Sequence, residues 1–243
     1  MPSKYTADIP SEQLTRFRQQ LRKWFSANGR SFHWRKTNSE YEMIIAEFLL
    51  QRTRAEAVER VCRDLLRTFP NWRALASADA RKLQRHLRPL GLWRRRSRSL
   101  RALAKEMAAR HGRFPKLRAE LDSLPGVGQY FGNAIEVICH KRRRPFIDVN
   151  LARVLERYFR PRRLADIRYD PYLQELSSRF ANSPRSLELN WAVLDFAAKV
   201  CLARTPKCSM CPLVRDCTFG QSRAVGAQAQ RERRYANLRG GHL

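Results

Sequence analysis

The sequence predicts an all-α protein. Its apolar residues recur at helical spacing in segments of roughly ten to sixteen residues, and no segment alternates as a half-buried strand would. The 10 Gly and 12 Pro residues fall mainly between these segments. With 243 residues, of which 43% are hydrophobic, the chain can bury a sizeable core as one domain or as two small ones.

The first helix is predicted to begin at Ser11 and to end at Asn28-Gly29. We expect the Ser11 hydroxyl to cap it after Pro10, and Gly29 to stop it. Its apolar face is expected to carry Leu14, Phe17, Leu21, Trp24 and Phe25. Further helices are predicted near residues 41–52, 55–68, 77–87, 96–111, 117–123, 129–140, 149–159, 171–182 and 188–201. Residues 221–243 are polar and basic, which predicts a disordered tail.

The charge of the chain indicates a polyanionic partner. Lys and Arg number 49 against 22 Asp and Glu, a formal net charge of +27 that far exceeds what solubility needs. Nucleic acid is the expected partner, because basic runs such as Arg94–Arg96, Lys141–Arg144 and Arg160–Arg163 offer many phosphate contacts. No long apolar run or N-terminal apolar segment supports a membrane partner or export, so we expect a cytoplasmic protein, nucleoid-associated if the cell is prokaryotic.

Four of the six cysteines stand close together near the C-terminus. They are Cys201, Cys208, Cys211 and Cys217, separated by six, two and five residues. The polar stretch from Cys208 to Cys211 is too short to be core packing, and without a signal for an oxidising compartment a metal centre is favoured over two disulfides. Four thiolates suit tetrahedral zinc or an iron–sulfur cluster, and spacing alone leaves zinc as the default. Cys62 and Cys139 lie on apolar helical segments and are predicted to be ordinary buried cysteines.

A glycine-containing turn links two predicted helices. Its sequence is Leu124-Pro125-Gly126-Val127-Gly128. We expect both glycines to permit backbone angles that other residues avoid, which gives a tight hairpin. Exposed amides and the N-terminus of the helix from Gln129 would then form a phosphate site. By itself the pattern is more typical of a plain connection between two helices.

The hairpin, the Ile147-Asp148-Val149-Asn150 string about twenty residues later and the cysteine spacing together resemble the helix-hairpin-helix DNA glycosylases related to endonuclease III. The resemblance runs from about Phe17 to Cys217. It implies a four-iron four-sulfur cluster on the four cysteines, in preference to zinc. It also implies two helical domains with a DNA-binding cleft between them, in a monomer. Residues 30–142 would form a six-helix bundle carrying the hairpin, and residues 1–29 with 143–220 the cluster domain.

Asp148 is the first candidate catalytic residue. From its position before a predicted helix it is expected to cap that helix. The resemblance implies a second role, in which the carboxylate stabilises positive charge on the sugar or activates water as the base departs. Tyr130 stands where bifunctional members carry a lysine, and a phenol cannot form a Schiff base. This implies hydrolysis without strand cleavage. Thymine·guanine mismatch glycosylases carry tyrosine at this place, whereas adenine glycosylases carry serine.

Glu47 is the second candidate carboxylate. It lies on a helix so apolar that we expect it to be partly desolvated, with a raised pKa suited to a general acid. A glutamate hydrogen-bonded in the core is the alternative. The sequence Ala46-Glu47-Phe-Leu-Leu50-Gln-Arg-Thr53 resembles a helix shared by the adenine and thymine mismatch enzymes. That resemblance implies protonation of the purine in the former and contact with the pyrimidine edge in the latter.

Several residues are expected to contact DNA. Gln51 and Arg52 occupy the place from which family members fill the gap left by a flipped base. Leu92 and Trp93 resemble a second strand-probing loop, although adenine glycosylases carry a tyrosine at the place of Trp93. The remaining expected contacts are the hairpin residues Pro125, Gly126, Val127 and Gly128, together with Asn150.

Three functions are compatible with these motifs. The favoured one is a monofunctional glycosylase that removes thymine or uracil opposite guanine in double-stranded DNA, which Tyr130 and Arg52 support. The second is an adenine glycosylase acting opposite guanine or oxidised guanine, which Gln51 and Thr53 support. Most such enzymes carry a further C-terminal domain, whereas only about twenty-six residues follow Cys217. The third is a non-catalytic protein that senses mismatched or modified DNA, against which the retained Glu47 and Asp148 count.

Overall fold

The structure, a computed structural model, describes residues 4–223. Within this range the protein is helical and contains no β-strand, which confirms the predicted fold class. The helices are α1 (Ser11–Asn28), α2 (Glu40–Leu50), α3 (Ala55–Thr68), α4 (Trp72–Ala76), α5 (Ala80–Leu87), α6 (Trp93–Ala109), α7 (Arg118–Asp122), α8 (Gln129–Ile138), α9 (Val149–Tyr158), α10 (Pro171–Ala181) and α11 (Ser186–Lys199). No helix in the described part of the chain is long and apolar enough to cross a membrane.

The chain folds as two compact units. The central unit is Arg30–Phe146, and the terminal unit comprises the described residues of Met1–Gly29 and Ile147–Leu243. The division falls at Phe146, not at residue 142 as expected, because α8 anchors the segment that follows it. Asn133 Nδ2 donates to the Pro145 carbonyl at 2.7 Å, and the buried Glu136 carboxylate pairs with Arg142 at 2.8 Å.

The terminal unit is built from α1, α9, α10 and α11 around an aromatic core. The Phe17 ring lies 4.5 Å from the ring of Tyr158 and 5.7 Å from that of Phe180, measured between centroids. The amphipathic pattern of α1 therefore buries Leu14, Phe17 and Leu21 of the predicted face, and Trp24 and Phe25 pack against the same core while partly buried. The cap differs from the prediction: α1 begins at Ser11 with Pro10 as its N-cap, so the Ser11 hydroxyl makes no capping bond.

The central unit is built from α2 to α8. Helix α2 packs against both α3 and α8, so its residues from Met43 to Leu49 are all buried, in keeping with its apolar sequence. Helix α4, a short helix of five residues against α6, lies in a segment for which no helix was predicted. Helix α5 begins at Ala80, later than predicted, because the Asp79 carboxylate caps it by accepting from the Lys82 amide at 2.8 Å.

The predicted disordered tail begins at residue 221. Residues 221–223 continue a helical segment that starts at residue 218, and the rest of the predicted tail lies outside the described residues.

Candidate active site

The hairpin before α8 is a type II turn. The Val127 amide donates to the Leu124 carbonyl at 3.1 Å, and Gly126 has φ +79°. A Cβ on Gly126 would lie 3.1 Å from the Phe48 ring, so this glycine is required by both backbone angle and space. For Gly128 the prediction was wrong, because its φ of −117° and ψ of −176° are extended and open to any residue.

Gly128 contributes in a different way. It is the N-cap of α8 and supplies no side-chain oxygen to the amides of the first turn. A Cβ built on it would meet nothing within 4 Å. The N-terminus of α8 is therefore an uncapped helix end without a side chain in front of it, which is the arrangement that anions bind.

Helices α2 and α8 bring Glu47 and Tyr130 together. The Tyr130 hydroxyl donates to Glu47 Oε2 at 2.8 Å, although the two residues are 83 positions apart. Glu47 is 1% exposed, whereas Tyr130 is half-buried with its ring 5.6 Å from that of Phe146. A carboxylate buried among apolar residues needs such a partner.

Asp148 caps α9, and the cap fixes its carboxylate. Oδ1 accepts from the amides of Asn150 at 2.9 Å and Leu151 at 2.8 Å, and Oδ2 accepts from Asn150 Nδ2 at 2.7 Å. Burial raises the pKa of Asp148, although these hydrogen bonds and the charge of Arg153 act to lower it. Both oxygens are thus oriented, and the acid takes up a proton more readily than an exposed aspartate.

Asn150 links Asp148 to the cysteine loop. Its Oδ1 accepts from Arg153 Nη2 at 3.1 Å, and Arg153 Nε donates to the Cys201 carbonyl at 2.9 Å. Asn150 was expected to contact DNA. In the structure its side-chain Nδ2 and Oδ1 both form hydrogen bonds within the protein, to Asp148 and Arg153 respectively. Arg153 is a site residue that the sequence did not indicate.

The four clustered cysteines line one pocket. Its other lining residues include Val154, Tyr158, Phe196 and Leu213, and no carboxylate or imidazole is among the described residues that line it. All four thiols are free, and burial raises the pKa of Cys211 to about 11. In the described part of the chain no three His, Cys, Asp or Glu side chains are grouped to hold one metal ion.

Donors surround these sulfurs. Arg157 Nη1 lies 3.4 Å from Cys201 Sγ, and the Gly220 amide lies 3.4 Å from Cys217 Sγ. The buried Tyr158 hydroxyl has no hydrogen-bond partner among residues 4–223. An all-thiol set lining an apolar pocket with nearby N–H and O–H donors fits a sulfur-rich cluster. Of the two remaining cysteines, Cys62 is buried as predicted and Cys139 is half-buried.

The turns after α2 and before α6 line one groove. Gln51, Arg52 and Leu92 lie on it, together with Gly126 of the hairpin. Arg52 and Leu92 have positive φ of 57° and 49°, and Leu92 is 63% exposed. The structure thus brings together four of the expected DNA contacts. Trp93 is not among the groove residues, and the Arg94 guanidinium lies 4.5 Å from its ring centroid.

Arg96 differs from the prediction for the basic run that contains it. That run was expected to follow the DNA backbone, but Arg96 is buried and donates to the carbonyls of Leu49 and Gln51. The signal was in the sequence. Arg96 precedes Leu100, Leu103 and Met107 at helical spacing, which places it on the buried face of α6.

Comparison with known proteins places the chain in one family. Residues 45–180 match the family described as HhH-GPD superfamily base excision DNA repair protein. The chain is 35% identical over 218 residues to a thymine/uracil-DNA glycosylase of Pyrobaculum aerophilum, covering 86% of this chain and 94% of that one. It is 34% identical over 212 residues to a thymine-DNA glycosylase of Aeropyrum pernix, covering 85% and 95%.

An adenine DNA glycosylase of Mycobacterium tuberculosis is 31% identical over 195 residues, which cover 78% of this chain and 63% of that one. Among solved structures, a thermostable thymine-DNA glycosylase superposes with a TM-score of 0.79 at 25% identity, covering 87% of this chain and 98% of the other. An endonuclease III–DNA complex shares the fold with a TM-score of 0.72 at 21% identity, covering 89% and 99%. The protein is therefore a member of the HhH-GPD superfamily of base excision DNA repair proteins.

Proposed function

We propose that the protein is a monofunctional DNA glycosylase that hydrolyses the bond between the sugar and a thymine or uracil opposite guanine. The observation that carries this proposal is the hydrogen bond from Tyr130 to Glu47 at 2.8 Å, with tyrosine at the place where bifunctional relatives carry lysine. The thymine and thymine/uracil enzymes match almost their whole length to this chain, whereas the adenine enzyme matches 63% of its own.

Asp148 acts on the sugar. Cleavage of an N-glycosidic bond builds positive charge on the sugar ring, and a carboxylate that is already oriented stabilises this charge without reorganising. The cap of α9 holds both oxygens of Asp148 in place. Its raised pKa also makes it a better base for the attacking water than an ordinary aspartate.

Glu47 and Tyr130 act on the departing base. A pyrimidine presents one N–H donor and two carbonyl acceptors at its edge. The Glu47 carboxylate can accept from that N–H, and the Tyr130 hydroxyl, which donates to Glu47 in the free protein, would turn its proton to a base carbonyl. The phenol cannot form an imine with the sugar. The product is therefore free base and an abasic strand that the enzyme itself leaves intact.

Double-stranded DNA with a mismatched base is the proposed partner. The net charge of +27 predicts a binding free energy dominated by phosphate contacts. Amides at the uncapped N-terminus of α8 provide one such contact. Gln51, Arg52 and Leu92 line the groove that would meet the bases. We place the enzyme in the cytoplasm as a monomer, associated with the nucleoid if the cell is prokaryotic.

We further propose that the four cysteines bind a four-iron four-sulfur cluster and not zinc. In such a cluster each cysteine binds its own iron, so the thiolates need to surround a pocket, and all four line one. When bound, the group supplies structural order and no electron transfer to this reaction. The residues around it hold the loop after α11, since Arg157 Nη1 donates to the Leu202 carbonyl at 2.7 Å.

A single-turnover excision assay tests this function. Purified protein in excess is incubated with duplexes containing one T·G, U·G, A·G or A·oxidised-guanine pair, and each sample is divided and treated with or without hot alkali. We expect alkali-dependent cleavage at T·G and U·G. Cleavage confined to adenine would establish the adenine glycosylase instead. Tight binding without cleavage of any duplex would indicate a DNA sensor.

A further inference from the structure

The turn that follows α2 has a backbone shape unusual for its sequence. The Thr53 amide donates to the Leu50 carbonyl at 3.0 Å, and Gln51 has φ −54° and ψ 112°. With φ +57° at Arg52, this is a type II turn with arginine at the position that favours glycine. Such a backbone persists only where the surroundings hold it, and it often marks a functional position.

The buried Arg96 guanidinium holds this turn. Arg96 is 8% exposed, and Nη1 donates to the Leu49 carbonyl at 3.0 Å. Nη2 donates to the Gln51 carbonyl at 3.3 Å and to Thr53 Oγ1 at 2.9 Å. The carbonyls of Leu49 and Gln51 belong to the C-terminal end of α2, where the helix offers no amide donors and a cation is favourable. Arg96 therefore connects residues on both sides of Arg52.

Arg96 also belongs to the second turn that lines the groove. Its own amide donates to the Leu92 carbonyl at 2.9 Å, which closes the first turn of α6. Leu92 is the left-handed N-cap of α6 and is exposed on the groove. Arg96 thus connects the two turns: its side chain binds the Gln51–Arg52 turn, and its backbone binds the Leu92 turn.

We propose that Arg96 is a positioning residue for recognition of the base opposite the excised one. By fixing the Gln51–Arg52 turn relative to Leu92, it holds the groove in the shape that accepts guanine in preference to adenine. This inference rests on the proposed function, because it requires the groove to face the DNA. Lysine cannot replace the guanidinium here, since one ammonium lacks the fork that reaches two separated sets of acceptors.

The chain offers a closely matched control. Arg179, in the terminal unit, donates to the carbonyls of Thr6 and Ile9 and to the Thr6 hydroxyl, a set of acceptors like that of Arg96. Arg96→Lys and Arg179→Lys therefore remove the same kind of interaction. Thr53→Val removes a single acceptor of Arg96, and Thr53→Ser retains it.

The test is equilibrium binding to duplexes that carry a tetrahydrofuran abasic analogue opposite guanine or opposite adenine. Melting temperatures are measured alongside. We expect the wild-type protein and Arg179→Lys to bind the guanine duplex more tightly. Arg96→Lys should lose about tenfold of that preference, as expected for loss of a charged hydrogen bond. Thr53→Val should lose part of it, and Thr53→Ser should restore it.

The inference is overturned if Arg96→Lys keeps the wild-type preference while losing as much stability as Arg179→Lys, since Arg96 would then be structural only. It is also overturned if the wild-type protein binds both duplexes equally. Because the analogue contains no base to remove, these results do not depend on excision. A preference for guanine with no excision of thymine or uracil would refute the proposed function and leave the role of Arg96 standing.

Discussion

Replacing Asp148 by asparagine separates catalysis from helix capping. Asparagine is as good an N-cap as aspartate, and its side-chain oxygen can still accept from the amides of Asn150 and Leu151. The bond between Oδ2 and Asn150 Nδ2 is lost, because two amide groups would face each other. That loss and the missing charge at the N-terminus of α9 together cost about 1 kcal/mol of stability. Removal of the partly buried charge acts in the opposite direction, because burial outweighs the hydrogen bonds and raises the pKa of Asp148.

The rate should change far more than the stability. Loss of an oriented charge that stabilises the transition state costs about 10²–10³ in rate, and loss of a general base has a similar effect. We therefore expect Asp148→Asn to excise thymine roughly 10³-fold more slowly, about 4 kcal/mol in activation free energy. Asp148→Ala should be equally slow and should lose about 1 kcal/mol more stability, because it also removes the cap.

Single-turnover excision from a T·G duplex at saturating enzyme gives the rate, and thermal unfolding followed by circular dichroism gives the stability. The two variants should bind the duplex nearly as tightly as the wild-type protein. Excision by Asp148→Asn within about tenfold of the wild-type rate would refute the role assigned to Asp148. So would a loss of rate that merely follows a loss of folded protein.

Three further predictions concern other parts of the site. Burial raises the pKa of Asp148, so protonated Asp148 stabilises the folded state at low pH, and this stabilisation is lost as the pH rises from the ordinary value of 3.8 through the raised pKa. The free energy of unfolding of the wild-type protein, measured against pH and relative to that of Asp148→Asn, should therefore fall as the pH rises through this range. Tyr130→Lys should cleave the strand without alkali and should form a covalent protein–DNA adduct that borohydride traps. If this variant forms no such adduct, residue 130 does not reach the sugar. Cys211→Ser should lower the iron content, the melting temperature and the affinity for DNA, and it should change the excision rate at saturating enzyme less than it changes these three properties. An unchanged iron content would exclude Cys211 as a ligand.

Local signals in the sequence predicted most of the helices. The bounds of α1 and α3 were predicted to the residue, because apolar periodicity is strong there and glycine ends α1. The short helix α4 was missed because five residues show too little periodicity. The later start of α5 depends on the Asp79 cap, a single hydrogen bond that periodicity does not register.

The site was predicted less evenly, for a physical reason. The Asp148 cap involves residues two and three positions away, so it was visible in the sequence. The contact between Glu47 and Tyr130 spans 83 positions and exists only because α2 packs against α8. Arg96 was grouped with its basic neighbours because charge counts do not distinguish a buried guanidinium from an exposed one.

Product analysis from one T·G duplex tests most directly whether this chain is a thymine glycosylase. After a single turnover without alkali, mass spectrometry should detect free thymine and a full-length strand whose mass has changed by replacement of the base with a hydroxyl group. Absence of free thymine would contradict the proposed function. Free thymine accompanied by a cleaved strand would contradict the monofunctional mechanism assigned to Tyr130.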